Sequence, residues 1–219
     1  MNSIFNMSNV IFDKLIMIPG IIIGFTFHEF AHAFIADRLG DKTPRFQGRL
    51  TLNPSAHIDP MGFIMIIIFG FGWAKPVQVN PSAYKNYRSD DLKVSLAGPI
   101  TNFLIAIIMA IVLGIYMKLG YGIIPNALYN VLGQMIGAAI TVNVGLGLFN
   151  LLPIPPLDGF SILRNLSPKT FYRYEQSFYQ YQIIIMLFIL YFGGRILSIP
   201  QGIIVNALLK LMRMVVNIF

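Results

Sequence analysis

Residues 21–40, IIIGFTFHEFAHAFIADRLG, place two histidines and a glutamate inside a long apolar run. The run is long enough to cross a membrane as a helix, because a bilayer core about 30 Å thick needs roughly 20 apolar residues. An ionisable side chain at the centre of such a helix costs about 2.5–3.5 kcal/mol on insertion scales. The stretch therefore predicts a membrane helix in which His28, Glu29 and His32 have a function that offsets this cost.

The composition supports a membrane protein. Apolar residues make up 56% of the 219 residues and charged residues 11%, whereas soluble domains average about 45–50% and 25%. The net charge of +7 comes from basic residues that lie between the apolar runs, so it indicates a lipid bilayer as the surroundings and no nucleic acid. The chain has no cysteine, which excludes disulfides and thiolate metal sites.

Further apolar runs predict the remaining membrane helices. Four runs are long enough to cross: residues 10–36, 93–117, 127–152 and 181–199. After Pro200, residues 201–219 have apolar residues at helical spacing around Lys210 and Arg213. This last segment either spans the membrane or lies in its interface, and the amphipathic pattern favours the interface.

One apolar run does not fit a membrane-spanning helix. Residues 61–73 are too few to cross and lie between Pro60 and Pro76, after a stretch with strand-like alternation and turn residues. We therefore predict a membrane re-entrant β-type element at residues 45–80, packed against the helices that satisfy its backbone. The fold class is then an all-α polytopic membrane protein with about four transmembrane helices, this element and a C-terminal helix. It forms a single integral membrane domain over residues 1–219.

The basic residues predict which side of the membrane each loop faces. The segments after the first and third spans contain Arg38, Lys42, Arg45, Arg49, Lys75, Lys85, Arg88, Lys93, Arg164, Lys169 and Arg173. Because cytoplasmic loops are enriched in Lys and Arg, we expect both segments in the cytoplasm and the N-terminus outside. The protein is then a multi-pass cell-membrane protein, with its polar cluster towards the cytoplasmic side.

The pentapeptide His28-Glu29-Phe30-Ala31-His32 has the form H-E-x-x-H. Helix positions i and i+4 share one face, about 6 Å apart along the axis. Two imidazoles there can chelate one Zn²⁺, and the glutamate can act as general base on a zinc-activated water. The alternative is a histidine pair that is hydrogen-bonded inside a helix bundle.

A catalytic zinc site usually has a third protein ligand. Asp158 is the one acid between Asp91 and Glu175, and it follows Pro153, Pro155 and Pro156. These prolines must unwind the third span on the side towards which the first helix runs. Asp158 could therefore reach the metal, but an Asp-Gly pair is also ordinary turn chemistry.

Four motifs carry a resemblance to a known family. They are HEFAH (28–32), GFGWAKPV (70–77), SLAGPITNF (95–103) and FNLLPIPPLDG (149–159). In this order they resemble the site-2 protease family of intramembrane zinc metalloproteases, most closely its compact bacterial branch without a PDZ domain. The resemblance extends over about residues 10–199.

The resemblance implies specific roles. It implies one zinc ion per chain with His28, His32 and Asp158 as ligands and Glu29 as the catalytic base. It also implies that Asn150, eight residues before the aspartate, stabilises the oxyanion. In the family a Gly-x-Gly loop holds an extended substrate strand, and Gly70 and Gly72 match that loop.

Three other polar residues in or near the apolar runs have open roles. His57 could be a fourth ligand that leaves on activation, a substrate contact, or a residue that satisfies a turn beside Asp59. Asn102 is expected to join two helices through its amide. Asn143 lies two turns before Asn150 on a similar face, and its role stays open.

The function that follows is intramembrane zinc endopeptidase, which cuts peptide bonds in or near a transmembrane segment of another membrane protein. One alternative is a divalent-metal transporter, although transport would favour several weak sites along a path. A second is an inactive family member that binds transmembrane segments without cutting them. The sequence predicts neither the substrate nor the oligomeric state.

Overall fold

The computed structural model describes residues 2–70 and 72–218. Within them the chain forms eight α-helices and no β-strand. The helices are α1 (Asn2–Arg38), α2 (Thr43–Phe46), α3 (Pro60–Phe69), α4 (Tyr87–Gly120), α5 (Asn126–Asn150), α6 (Asp158–Leu166), α7 (Pro168–Gln180) and α8 (Gln182–Ile218). Two short 3₁₀ turns, Pro54–Ala56 and Pro81–Ala83, lie in the segment between α2 and α4.

Among the described residues, four helices are long and apolar enough to cross a membrane. The candidate spans are Ile11–Arg38, Tyr87–Gly120, Asn126–Asn150 and Tyr191–Ile218. Their number and helical character confirm the predicted all-α polytopic membrane fold.

The core lies where α4, α5 and α8 meet. Ala106 and Ala110 of α4 are fully buried and pack with Ile140 and Val144 of α5. Small residues one helical turn apart let helix backbones approach closely, which is how membrane helices gain packing energy. α1 lies against both α4 and α5, so one face of α1 is enclosed by the bundle.

The C-terminal part of the fold differs from the prediction. The expected span at residues 181–199 and the separate segment 201–219 form one continuous helix, α8, with Pro200 in its interior. Leu208 and Met212 are buried in the core against α4 and α5, and this part of α8 lies within the fourth candidate span. A proline removes one backbone hydrogen bond, whereas ending a helix in apolar surroundings leaves several carbonyl groups unpaired.

The described part of residues 45–80 does not form the predicted β-type element; its apolar part is the helix α3. Asp59 is the N-cap and its side chain accepts a hydrogen bond from the Gly62 N–H at 2.8 Å. Pro60 occupies the first turn, and Gly70 ends the helix with a φ of 79°. A polar N-cap, a proline in the first turn and a left-handed glycine at the end are helix boundary signals, and between them this short apolar run forms a helix.

The residues before α3 also lack strands. Within the predicted element, the described residues hold one isolated antiparallel bridge, between Ile58 and Ala74. The alternating stretch before Pro60 forms the end of α2, a run of turns and irregular chain, and a 3₁₀ turn. Turn-forming residues in this segment therefore prevailed over its period-2 pattern.

α3 and the extended chain that follows it lie along α1. At one end, Lys14 Nζ donates a hydrogen bond to the Ile68 carbonyl. At the other end, the Val77 N–H donates to Glu29 Oε2 at 2.9 Å. The chain thus runs along α1 as a helix and returns as an extended segment, which reaches Glu29 of α1.

Candidate metal centre

Three side chains that could bind a metal meet between α1 and the start of α6. His28 Nε2 and His32 Nε2 lie 3.1 Å apart, and Asp158 Oδ2 lies 3.2 Å from the first and 3.3 Å from the second. Among the described residues, this is the one group of three or more His, Asp or Glu side chains spaced to hold a metal ion. The structure therefore brings together the three residues predicted as zinc ligands.

The spacing of the three donor atoms fits a tetrahedral zinc site. Zinc binds nitrogen and oxygen ligands at about 2.0–2.2 Å, which places neighbouring ligands of a tetrahedron about 3.3–3.6 Å apart. The observed separations lie at or just below this range. Asp158 Oδ2 is also buried and accepts no hydrogen bond, and an orphaned carboxylate oxygen facing two imidazole nitrogens fits a cation.

The other ring nitrogen of each histidine has a partner on α4. His28 Nδ1 donates to Asn102 Oδ1 at 2.7 Å, and His32 Nδ1 donates to the Val94 carbonyl at 2.8 Å. Outer hydrogen bonds of this kind orient a metal-binding imidazole and fix which nitrogen carries the proton. Both Nε2 atoms are thereby left as bare acceptors, which is the state that a metal requires.

α4 approaches the two imidazoles through a glycine. Gly98 lies between Val94 and Asn102 at one-turn intervals, and a Cβ built on it would be 2.6 Å from His28 Nε2. No real side chain tolerates that contact. Because Gly98 has no side chain, α4 can place the acceptor oxygens of Asn102 and Val94 beside the two rings without filling the space between the rings.

Asp158 is positioned by the helix that it begins. It is the first residue of α6, directly after the proline-rich turn that follows α5. The far end of α6 is fixed to α4, because Arg164 donates to Asp91 Oδ2 at 2.8 Å and Asn165 donates to the same oxygen.

The environment of Asp158 favours its ionised form. Burial alone would raise the pKa of its carboxyl group. The neighbouring imidazoles of His32 and His28 outweigh burial and lower the pKa of this carboxyl group below its usual range. A carboxylate is the form that ligates a metal.

Glu29 lies on the adjacent face of α1 and is buried. Its Oε2 accepts a hydrogen bond from the Val77 N–H of the extended segment. Arg49 is close enough to interact with it electrostatically: burial lowers the pKa of the Arg49 guanidinium, and the charge of Glu29 acts in the opposite direction. Arg49 also donates to the carbonyls of Lys75 and Pro76, so it holds the extended segment beside Glu29.

The hydrogen bonds of Asn150 and His57 go to backbone carbonyl groups. Asn150 ends α5, and its amide donates to the Leu146 carbonyl of the same helix at 3.0 Å. His57 is fully buried, its Nε2 donates to the Thr51 carbonyl at 2.7 Å, and its carbonyl accepts from the Lys75 N–H at 2.8 Å. In the structure His57 ties two loops together.

Gly70 and Gly72, which match the Gly-x-Gly loop of the family, are each required by the local backbone. Gly70 supplies the left-handed end of α3. Gly72 lies directly on the Gly62 carbonyl, where an added Cβ would overlap it. Phe71 lies outside the described residues.

Sequence reasoning did not identify Gly98, Val77 or Arg49 as parts of the site. The four-residue spacing of Gly98 and Asn102 within one predicted span was a usable signal, because it places a gap and an amide on the same face. The roles of Val77 and Arg49 depend on backbone contacts of an irregular segment, for which the sequence contains no comparable signal.

Comparison with known proteins gives an independent result. The chain matches the family model described as "Peptidase family M50" over residues 16–136 and 120–193. It is 45% identical over 149 residues to the Bacillus subtilis protein named "Putative zinc metalloprotease YwhC", an alignment that covers 68% of this chain and 67% of YwhC. No solved structure matches the chain significantly.

Two relatives of lower identity are also named "Putative zinc metalloprotease". Rip2 of Mycolicibacterium smegmatis is 30% identical over 71% of this chain and 59% of its own length. MJ0611 of Methanocaldococcus jannaschii is 30% identical over 64% of this chain and 65% of its own length. The matched region thus spans about two thirds of the length of these proteins.

Proposed function

The chain belongs to peptidase family M50, the site-2 protease family of zinc metalloproteases, and on this premise we propose that it hydrolyses peptide bonds in or near the membrane-spanning segments of other proteins. One observation supports this most strongly. Two imidazole nitrogens of a candidate membrane span and one carboxylate oxygen of α6 converge at 3.1–3.3 Å, with the buried carboxylate of Glu29 on the adjacent face.

His28, His32 and Asp158 would hold one zinc ion. Zinc in such a site lowers the pKa of a bound water to about 7 and polarises a substrate carbonyl. The hydrogen bonds from His28 to Asn102 and from His32 to Val94 keep the rings in the orientation that binding needs.

Glu29 would move the proton. Its Oε2 is held by the Val77 N–H, which leaves Oε1 to accept a proton from the attacking water and to deliver it to the leaving amine. Arg49 holds the extended segment that carries Val77, since it donates to the carbonyls of Lys75 and Pro76.

Asn150 would stabilise charge on the substrate carbonyl oxygen. A donor aimed at a developing oxyanion contributes about 3–4 kcal/mol in known peptidases. Here its amide bonds to the Leu146 carbonyl, so the side chain would have to rotate when substrate binds.

The position of the site suggests the substrate class. His28 and His32 lie ten and six residues before Arg38, the last residue of α1, which is about 9–15 Å from the helix end. If basic Arg38 lies at the cytoplasmic interface, the site lies at membrane depth, near that side. A substrate helix must unwind there to expose its carbonyls, and the loop at Gly70 and Gly72 is the proposed contact for the extended strand. The packing of α1, α4, α5 and α8 supports a single integral membrane domain.

Zinc content tests the ligand set. We expect about one zinc per chain in detergent-purified wild-type protein. His28→Ala and Asp158→Ala should each lose most of it, since two remaining ligands bind weakly, whereas Glu29→Gln should keep it. Elemental analysis after size-exclusion chromatography measures this directly. A wild-type protein that stays zinc-free after zinc is added back would contradict the proposal.

Proteolysis can be tested without a known substrate. Protein N-termini in membranes of cells that express the wild type are compared with those of cells that express Glu29→Gln. New termini at or within membrane-spanning segments, found with the wild type alone, are expected for an endopeptidase. If both proteins bind zinc and yield the same termini, the chain is an inactive binder; zinc uptake into vesicles that is unchanged by Glu29→Gln would indicate a transporter.

A further inference from the structure

Two fully buried amides connect the metal centre to the middle of the bundle. Asn102 of α4 and Asn143 of α5 both have a relative exposure of 0%. We propose that they are positioning residues, which fix the proton of His28 on Nδ1 and so leave Nε2 free to bind zinc. This inference rests on the proposed function, in which His28 is a zinc ligand.

The orientation of Asn143 is set by the backbone. Its Nδ2 donates to the Gly20 carbonyl at 3.3 Å and to the Ala139 carbonyl at 2.9 Å. A carbonyl can only accept, so the NH₂ group must face these two oxygens and the amide oxygen must face the other way. Asn143 Oδ1 is thereby presented to Asn102 as an acceptor.

The orientation of Asn102 follows from that of Asn143. Its Nδ2 donates to Asn143 Oδ1 at 3.1 Å and to the Gly24 carbonyl at 3.2 Å. Both partners accept, so Asn102 Oδ1 must be the atom that lies 2.7 Å from His28 Nδ1. An amide oxygen cannot donate, and His28 therefore keeps its proton on Nδ1.

All N–H groups of the two amides are used in this arrangement. The four donors have four acceptors, and flipping either amide would place NH₂ groups against donors or oxygens against carbonyls. A buried unpaired polar group costs about 1–3 kcal/mol, so the observed orientation is well separated from its alternatives. The backbone carbonyls of α1 and α5 thus determine which ring nitrogen of His28 is protonated, through the side chains of Asn143 and Asn102.

α1 admits this network because it has glycines at the two points of contact. A Cβ on Gly20 would be 2.7 Å from Ala139 Cα, and one on Gly24 would be 3.0 Å from Asn143 Oδ1. Gly20 and Gly24 are one turn apart and are followed, one turn later, by His28. The face of α1 that carries the ligand is therefore the face on which its carbonyls are accessible to the amides.

If Asn102 and Asn143 only held helices together, neither amide group would need this particular orientation. The other two histidines of the chain provide internal references for it. His32 Nδ1 donates to the Val94 carbonyl, whereas His57 donates through Nε2 to the Thr51 carbonyl and its Nδ1 has no partner. We therefore expect two rings that are protonated on Nδ1 and one that is protonated on Nε2.

The first test measures the protonated nitrogen of each ring. Nitrogen-15 NMR of the zinc-loaded protein, labelled at histidine and assigned with the variant His57→Gln, separates N–H from bare and metal-bound nitrogens. The expected result is Nδ1–H for His28 and His32 and Nε2–H for His57. A His28 ring that binds zinc through Nδ1, or that is protonated on Nε2, would overturn the inference.

The second test compares two substitutions of Asn102. Asn102→Leu removes the acceptor for His28, and we expect zinc affinity to fall about 10–100-fold. Asn102→Asp keeps that acceptor but removes both donors, so it should lower thermal stability while zinc affinity stays at or above the wild-type value. Affinity is measured by competition with a chromophoric chelator, and stability by thermal unfolding of the zinc-free protein.

The Asn143 variant tests whether the effect passes through Asn102. Asn143→Leu should weaken zinc binding less than Asn102→Leu. In the double variant it should add little further loss, because Asn102→Leu has already removed the acceptor through which Asn143 acts on His28. Ser95→Ala is the matched control: its hydroxyl bonds to the Asp91 carbonyl within α4 and does not contact His28, so affinity should be unchanged.

The outcomes separate the two proposals. A wild-type protein without zinc contradicts the proposed function. Wild-type zinc affinity in folded Asn102→Leu, or equal losses of affinity in Asn102→Leu and Asn102→Asp, overturns the positioning role alone. If Asn102→Leu does not fold, the Asn102→Asp affinity and the NMR result still decide the question.

Discussion

At the residue scale, the metal centre depends on a glycine, Gly98, whose lack of a side chain leaves room for the two imidazoles. The ideal Cβ position of Gly98 lies 2.6 Å from His28 Nε2 and closer still to His32 Nε2. We expect Gly98→Ala to weaken zinc binding at least 10-fold, because the methyl group would occupy the space between the rings. Helix propensity predicts the opposite effect on stability, since alanine is favoured over glycine by roughly 0.8–1.0 kcal/mol in a helix interior.

This prediction is checked by measuring zinc affinity and thermal unfolding on the same variant. Gly137→Ala in α5 is the control, because a Cβ there meets no atom within 4 Å. It should leave zinc affinity unchanged. If Gly98→Ala binds zinc as tightly as the wild type, then α4 does not approach the rings as closely as the structure has it.

The ligand candidates were predictable from the sequence because local geometry determines them. His28 and His32 share a helix face at any i, i+4 spacing, and the prolines before Asp158 require the chain to turn near the end of α5. The role of Gly98 and the state of the His28 ring were not predictable, since both depend on which face of α4 packs against α1. His57 was ambiguous for the same reason: its partner, the Thr51 carbonyl, lies in an irregular loop.

At the scale of elements, the position of Asp158 depends on the far end of α6. Asp91 is buried and accepts hydrogen bonds from Arg164 and Asn165. Removing one partner of a buried ion pair costs about 3–5 kcal/mol, and we expect roughly 2–3 kcal/mol for Asp91→Leu because Arg164 is partly exposed. Zinc affinity should fall with it, since α6 would no longer hold Asp158 against the imidazoles.

The neighbouring aspartate provides the control. Asp90 is buried to the same extent but pairs with Lys93 of its own helix at 2.7 Å, so Asp90→Leu should lower stability without a matching loss of zinc affinity. Denaturant unfolding and chelator competition on both variants make the comparison. Equal losses of zinc affinity in the two variants would indicate a general loosening of α4 and not a specific role for α6.

The elements themselves were predictable where one signal dominated. Long apolar runs gave α1, α4 and α5 because the bilayer requires helices of that length. The β-type element predicted around α3 and the break predicted at Pro200 of α8 were wrong, and at both places two signals conflicted. Near α3 the strand-like pattern of the preceding residues conflicted with helix caps at Asp59 and Gly70, and for α8 a proline conflicted with the need to keep backbone groups paired. In both cases the hydrogen bonds of the backbone decided the outcome.

At the scale of the whole molecule, the parts of the candidate site lie at one end of the bundle. α1 ends there at Arg38, α4 begins there, and α5 leads there into the turn before Asp158. The loops at this end hold most of the basic residues of the chain. The arrangement of charge and the location of the site are therefore linked: if the basic loops face the cytoplasm, the proposed proteolysis takes place near the cytoplasmic side.

This orientation can be measured, because the chain has no cysteine and a single introduced thiol is the one site of labelling. Ile123 is 80% exposed in the connection between α4 and α5, at the opposite end of α4. Tyr172 is 65% exposed on α7, the helix that follows α6 and its ligand candidate Asp158. With a membrane-impermeant maleimide on intact cells, we expect Ile123→Cys to be labelled and Tyr172→Cys to be protected. Both should react after the membrane is permeabilised. The reverse pattern would place the metal centre near the outer face, where the available substrates would be outer segments of membrane proteins. The positive-inside rule would then fail for this chain, although every contact within the site would stay the same.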